Sequence, residues 1–235
     1  MILRQMYSGG GLFILTISSN SALPNLPSLA TAAGWNGNSF LKVNITASLI
    51  NRIDILGAWS FPSGLEIEIS SGTRIGGNLD FGNAFTTALP ITVRNNGIIS
   101  GAGGMGGSGG SATSYYSGTS SPGTAPGGSG GIGQGFGSAG SLSITGPSAG
   151  DGGAFIQYEG SVFGGETPPY AQGGQGGTGG TWGQGGASGG YGSVGGTYSY
   201  AFIGEPGAGS PAGNSVTGNS LITWLATGTR LGAIA

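Results

Sequence analysis

Few side chains in this sequence can do chemistry. Among 235 residues there is no histidine and no cysteine, which excludes an imidazole base, a thiolate nucleophile and a conventional zinc site. The nearest approach to a paired acid and base is Glu66 with Glu68, two residues apart in an alternating segment. Such a pair needs a cleft that raises one pKa, and on an alternating strand the two read instead as a solvated face. Asp151-Gly152-Gly153 offers one carboxylate rather than the clustered oxygen ligands calcium takes. Gly-x-Gly-x-x-Gly strings arise by composition in a chain with 57 glycines and carry no phosphate-loop meaning here. No catalytic residue, metal or cofactor is assigned, and an enzyme is the function class the residues support least.

The groups left for binding are aromatic. Tyr115 and Tyr116 lie in SATSYYSGTSSPGTAP (111–126). Phe155, Tyr158, Phe163 and Tyr170 lie in AFIQYEGSVFGGETPPYAQ (154–172), and Tyr191, Tyr198, Tyr200 and Phe202 in YGSVGGTYSYAFIGEP (191–206). Such Tyr/Ser/Gly-rich segments match binding paratopes in composition, with stiff aromatic anchors beside small adaptable neighbours. Glu159 and Glu166 add acidic character. The competing reading is that these rings only cover hydrophobic edges. Phe136, with glycine on both sides, and Trp182, followed by glycine, fit either an anchor or a ring packed flat on its surroundings.

What must position these segments is glycine. Residues 97–213 hold 43 of the glycines, residues 1–96 hold 11 and the tail holds 3. Gly174, Gly177, Gly180, Gly183, Gly186, Gly189, Gly192 and Gly195 are spaced by three, and Gly173, Gly176, Gly179 and Gly185 shadow them in a second register. Gly103, Gly106 and Gly109 run beside Gly104, Gly107 and Gly110 in the same way. A flexible linker needs glycine content, not glycine phase. Three residues per turn is the polyproline-II period, and without the prolines of collagen it predicts polyglycine-II helices bonded to one another. Each glycine loses roughly 0.5–1 kcal/mol more backbone entropy than alanine, while each inter-helix hydrogen bond returns about 1 kcal/mol. A single such helix fails and a stack holds. Two-register passes belong deep in it. Residues 174–195 are too long for one pass, so Trp182, Ser188 and Tyr191 are expected at reversals.

The flanks read differently. Leu41, Val43 and Ile45 alternate with Lys42, Asn44 and Thr46, and Leu65, Ile67 and Ile69 alternate with Glu66, Glu68 and Ser70. Period two predicts half-buried strands, as does Ile91-Thr92-Val93-Arg94 before the Asn95-Asn96-Gly97 turn. The best helical candidate is ITASLINRIDIL (45–56). The tail SLITWLATGTRLGAIA (220–235) predicts a C-terminal strand with Trp224 buried, returning to the N-terminal module. The predicted fold is mostly non-α: a small β-rich module over 1–96, an antiparallel polyglycine-II stack with aromatic loops over 97–213, and a returning strand over 214–235.

Charge narrows the partners. Charged residues make up 6% of the chain and the net charge is -2, which argues against nucleic acid. No apolar run reaches the length of a membrane span, and the N-terminus lacks a convincing signal sequence, so a soluble, unprocessed protein is expected.

Glycine passes alternating with aromatic loops over 97–213 resemble the receptor-recognising tip adhesins of T-even-type phage long tail fibres. The junction ITVRNNGIISGAGG (91–104) and the ending GNSLITWLATGTRLGAIA (218–235) are similar to segments of such tips. The resemblance implies a virion protein at the distal tip of a tail fibre, joined to the fibre protein through residues 1–96. It also implies that the loops around Tyr115–Tyr116, Phe155–Tyr170 and Tyr191–Phe202 bind an outer-membrane protein or surface glycan of a bacterium. The other readings of a glycine stack are an ice-binding protein, which would show a flat regular face, and a structural glycine-rich protein.

Overall fold

A computed structural model describes residues 4–6, 11–79, 82–115, 123–138, 140–157, 165–197 and 200–235. The chain divides into two compact units. One comprises Met1–Ala102, Gly135–Ile144 and Gly213–Ala235; the other comprises Gly103–Gln134 and Thr145–Ala212.

The first unit is a β-solenoid-like coil. Its largest sheet stacks Leu12–Ile17, Phe40–Ile45, Leu65–Ile69, Ile91–Asn95 and Ile222–Ala226 in parallel, with Arg4–Met6 antiparallel at the near edge. A second parallel sheet stacks Ser21–Ala22, Leu49–Asn51, Arg74–Gly76, Ile98–Ser100 and Thr229–Leu231. A third stacks Ile53–Ile55, Phe85–Thr87 and Val216–Thr217. The three coils begun by Phe40–Ile45, Leu65–Ile69 and Ile91–Asn95 each contribute one strand to each sheet in turn. The coil begun by Ile91–Asn95 and Ile98–Ser100 is completed only at Val216–Thr217, so the second unit is an insertion within one turn of the solenoid.

Alternation builds the solenoid core as the sequence predicts. Leu41, Val43 and Ile45 stack on Leu65, Ile67 and Ile69, all buried, while the residues between them face outward. Ile50, Ile75 and Ile99 stack likewise in the second sheet. At one corner the buried Asn95 donates through Nδ2 to the Thr227 carbonyl (2.8 Å) and accepts from the Gly97 amide (2.9 Å). A Cβ on Gly97 would lie 2.7 Å from the Ser70 carbonyl oxygen, so the predicted turn requires glycine there. In the C-terminal segment Ile222–Ala226 pairs in parallel with Ile91–Asn95. Trp224 itself is half-buried, with its indole donating to Asn219 Oδ1 (2.9 Å).

The helical reading of 45–56 is corrected. Leu49–Asn51 and Ile53–Ile55 are strands in two different sheets, separated by Arg52 at φ 59. A left-handed residue turns the corner there, and Arg52 Nε bonds Asp54 Oδ1 (2.9 Å). Among the described residues the one α-helix is Leu26–Ala32, capped by Asn25 accepting from Ser28 N, with Pro27 in its first turn. It buries Leu26 and Ala30 in the solenoid core.

The second unit is built from extended backbone. Six passes, 103–111, 126–134, 148–154, 173–180, 184–190 and 204–211, alternate in direction and bond to one another at every third residue. Gly103, Gly106 and Gly109 of the first pass donate to Gln134, Gly131 and Gly128 of the second. Gly128, Gly131 and Gln134 donate to Gly174, Gly177 and Gly180 of the fourth, which donate back to Gly110, Gly107 and Gly104 of the first. The bonds thus close a triangle of passes. Tracing the remaining bonds gives two rows of three, in which the first and fourth passes each have four neighbours.

The neighbours explain the paired glycine registers. A Cβ on Gly103, Gly106 or Gly109 would strike a carbonyl of the fourth pass, and one on Gly104, Gly107 or Gly110 a carbonyl of the sixth. The third residue of each period points out, as the exposed Met105, Ser108, Gln175 and Thr178 do. In the fifth pass, at the rim, only one register is crowded. Gly186 and Gly189 would clash, whereas a Cβ on Gly190 has 3.6 Å of clearance. Of the expected reversals, Trp182 lies in one, closed by Gln184 N to Thr181 O (2.9 Å), with Gly183 at φ 71. Ser188 instead sits inside a pass, because the backbone bonds run on through Gly189 and Gly190.

Candidate functional site

Two three-stranded antiparallel sheets in the second unit carry the described aromatic segments. One orders Gly123–Ala125, Ala112–Tyr115 and Tyr200–Ile203; the other orders Phe155–Gln157, Tyr170–Gln172 and Ser193–Gly195. Their inner faces meet in a small core of Ala112, Ala125 and Ala171 with Val194. Small side chains let two short sheets approach closely. With alanines filling the inner positions, alternation sends the large rings outward.

On the first sheet, Tyr115 is paired in register with Tyr200, with ring centroids 5.5 Å apart and planes at 64°. Phe202 lies two residues on, opposite Thr113, whose hydroxyl bonds that of Thr124 (3.1 Å). Tyr200 and Phe202 are 58% and 54% exposed, which rules out a purely core role for them. On the second sheet, Phe155 is 57% exposed and packs against Tyr170 with centroids 5.6 Å apart. The Tyr170 ring occupies the space a Cβ on Gly195 would need, so glycine in the neighbouring strand makes the bed for the tyrosine. Tyr191 is exposed just ahead of Ser193–Gly195.

The structure therefore gathers Tyr115, Tyr200 and Phe202 on one face and Phe155 with Tyr170 on another. Tyr116, Tyr158, Phe163 and Tyr198 lie outside the described residues. Phe136 and Trp182 are buried. The Thr113–Thr124 hydroxyl pair and the role of Gly195 escaped the sequence reading, because both depend on the register of strand pairing, across 11 and 25 residues respectively.

The carboxylate pair is held by a lysine. Lys42 Nζ lies 3.1 Å from Glu66 Oε1 and 2.7 Å from Glu68 Oε2, across adjacent strands. The hydrogen bond to Glu68 leads the effects that raise the lysine's pKa above its ordinary value, burial opposes them, and Glu66 adds to the rise. A recess of about 200 Å³ in the solenoid, lined by Leu15, Ile17, Asn20 and Leu29, holds no titratable side chain. Among the described residues no cluster of carboxylates could hold a metal ion, and no helix is long and apolar enough to cross a membrane.

The family of the phage tail fibre adhesin Gp38 matches residues 12–235. The chain belongs to that family. It is a phage tail fibre adhesin, a class defined by binding to a host rather than by catalysis, and this replaces the ice-binding and structural alternatives. A crystal structure of the gp37-gp38 adhesin tip complex of the bacteriophage S16 long tail fiber aligns with 97% of the chain and 83% of the matched one. The identity is 18% and the TM-score 0.48. No curated protein sequence matches the chain.

Proposed function

We propose that this adhesin recognises the bacterial surface through the outer faces of its two small sheets, with Tyr115, Tyr200 and Phe202 on one and Phe155 and Tyr170 on the other. The observation carrying this reading is the exposure of large rings on a unit that keeps only alanines and a valine for its sheet core. Scattered exposed rings are unremarkable, but a paired and ordered group of them on a tail fibre adhesin is what a receptor contact needs. The receptor is an outer-membrane protein or a surface glycan.

The passes act as polyglycine-II helices, a reading supported by their three-residue bonding period and by glycine wherever two neighbours crowd the backbone. They form a rigid platform that fixes the sheets. In functional terms residues 97–213 are the receptor-binding domain. Residues 1–96, joined by 214–235, are the module that attaches to the tail-fibre protein and sets the chain at the distal tip of the fibre. The complex named for the S16 protein is in keeping with such a partner.

Adsorption tests the reading. Tyr200→Ala combined with Phe202→Ala should lower adsorption of the purified protein to susceptible cells at least tenfold, with an unchanged melting temperature. Wild-type adsorption by that variant removes the first sheet from the contact.

A further inference from the structure

The segment that carries Tyr115, Tyr200 and Phe202 is one-sided in charge. Residues 97–213 contain Asp151, Glu159, Glu166 and Glu205 and no lysine or arginine. Glu205 follows the Tyr200–Ile203 strand by two residues and is exposed. Aromatic faces carry a negative quadrupole and attract cations held within about 6 Å of the ring. In the solenoid that attraction is satisfied within the chain: Arg230 lies over Trp224, 5.0 Å from the ring centroid. Residues 97–213 supply no such partner to their own exposed rings.

From this we infer that the face takes a guanidinium or ammonium group, and that the receptor element is an arginine- or lysine-bearing loop of a bacterial surface protein. The inference rests on the reading that this face contacts the receptor. The Tyr115–Tyr200 pair meets edge to face with Tyr200 largely exposed, and the exposed Phe202 extends the platform by one strand period. The net negative charge of this segment adds a long-range attraction that draws a positive loop in. A phosphate- or carboxylate-bearing glycan would meet a segment whose charged side chains are all carboxylates.

The test is an NMR titration of the full chain with acetyl-arginine amide, observing the ring resonances of Tyr115, Tyr200 and Phe202. Acetyl-leucine amide and methyl glucoside serve as neutral probes. The arginine probe should shift all three rings saturably, and binding should weaken at least threefold between about 0.03 M and about 0.5 M NaCl through screening. Tyr200→Leu with Phe202→Leu, which keeps apolar bulk but removes the quadrupole, should abolish the shifts. Equal shifts with a neutral probe, or none with arginine, overturn the inference, as does full inhibition of cell adsorption by purified lipopolysaccharide. If the leucine variant loses adsorption while arginine leaves the rings unmoved, the face is the contact and its ligand is not cationic. If that variant adsorbs normally, the underlying reading falls as well.

Discussion

Gly177→Ala is the sharpest perturbation of the glycine platform. Gly177 lies midway along the fourth pass, its amide donating to Gly107 O (2.8 Å) and its carbonyl accepting from Gly131 N (2.8 Å). A Cβ there would sit 2.6 Å from the Ser188 carbonyl oxygen and closer still to that of Ala187. The obstacle is backbone, bonded on its far side through Gly107 N to Ala187 O, so it cannot swing aside as a side chain would. Overpacking costs about 1–3 kcal/mol, and stretching the two bonds at Gly177 adds about 1 kcal/mol each. The expected loss is about 3–5 kcal/mol, or roughly 10 °C in melting temperature for a chain of this size. Gly190→Ala is the matched control. Gly190 also donates and accepts, to Gln175 O and from Gly110 N, but its Cβ has 3.6 Å of clearance. That variant should melt within about 2 °C of the parent, since clash-free replacement of glycine changes stability by under about 1 kcal/mol. Melting curves followed by circular dichroism decide it. Equal curves for the two variants, in either direction, would refute the placement of the fourth pass among four neighbours.

Three further outcomes follow from the geometry. Asn95→Ala removes a buried amide that ties the Gly97 turn to Thr227, and denaturant unfolding should show a loss of about 2–3 kcal/mol. Lys42 is held above its ordinary value of 10.5, so its contribution is complete below that pH and is lost as pH rises through the folded value. Lys42→Met should therefore flatten the alkaline limb of the stability profile, by about 0.5–1 kcal/mol for a partly exposed pair. Gly195→Ala should drive the Tyr170 ring from its bed and break its contact with Phe155, worth about 0.5–1.5 kcal/mol, visible as loss of ring-to-ring nuclear Overhauser effects.

The glycine platform was legible because its rule is local: a Cβ is forbidden at fixed intervals, and the interval is printed in the chain. Alternation in 41–46 and 65–70 was legible for the same reason. The solenoid was not. Its coils share no motif, their lengths differ, and one of them is interrupted between Ser100 and Val216 by the whole second unit. The segment 45–56 misled because apolar residues in two short strands on either side of a left-handed Arg52 fall at helical spacing by accident. The true helix carried its signal in Asn25 and Pro27 rather than in any periodicity. Among the aromatics, sequence singled out Tyr115, Phe155, Tyr170, Tyr191, Tyr200 and Phe202 but not their grouping. That Tyr115 meets Tyr200 rather than Phe155 is fixed by pairing across more than eighty residues.

Hydrogen exchange at single-residue resolution along the fourth pass tests the interlocked backbone most directly. Amides of Gly173, Gly174, Gly176, Gly177, Gly179 and Gly180 all donate to neighbouring passes, whereas Gln175 and Thr178 make no such bond among the described residues. Two slow amides followed by one fast amide, repeated along the pass, is the predicted pattern. Uniform rapid exchange, or slow exchange with a period of two, would contradict it.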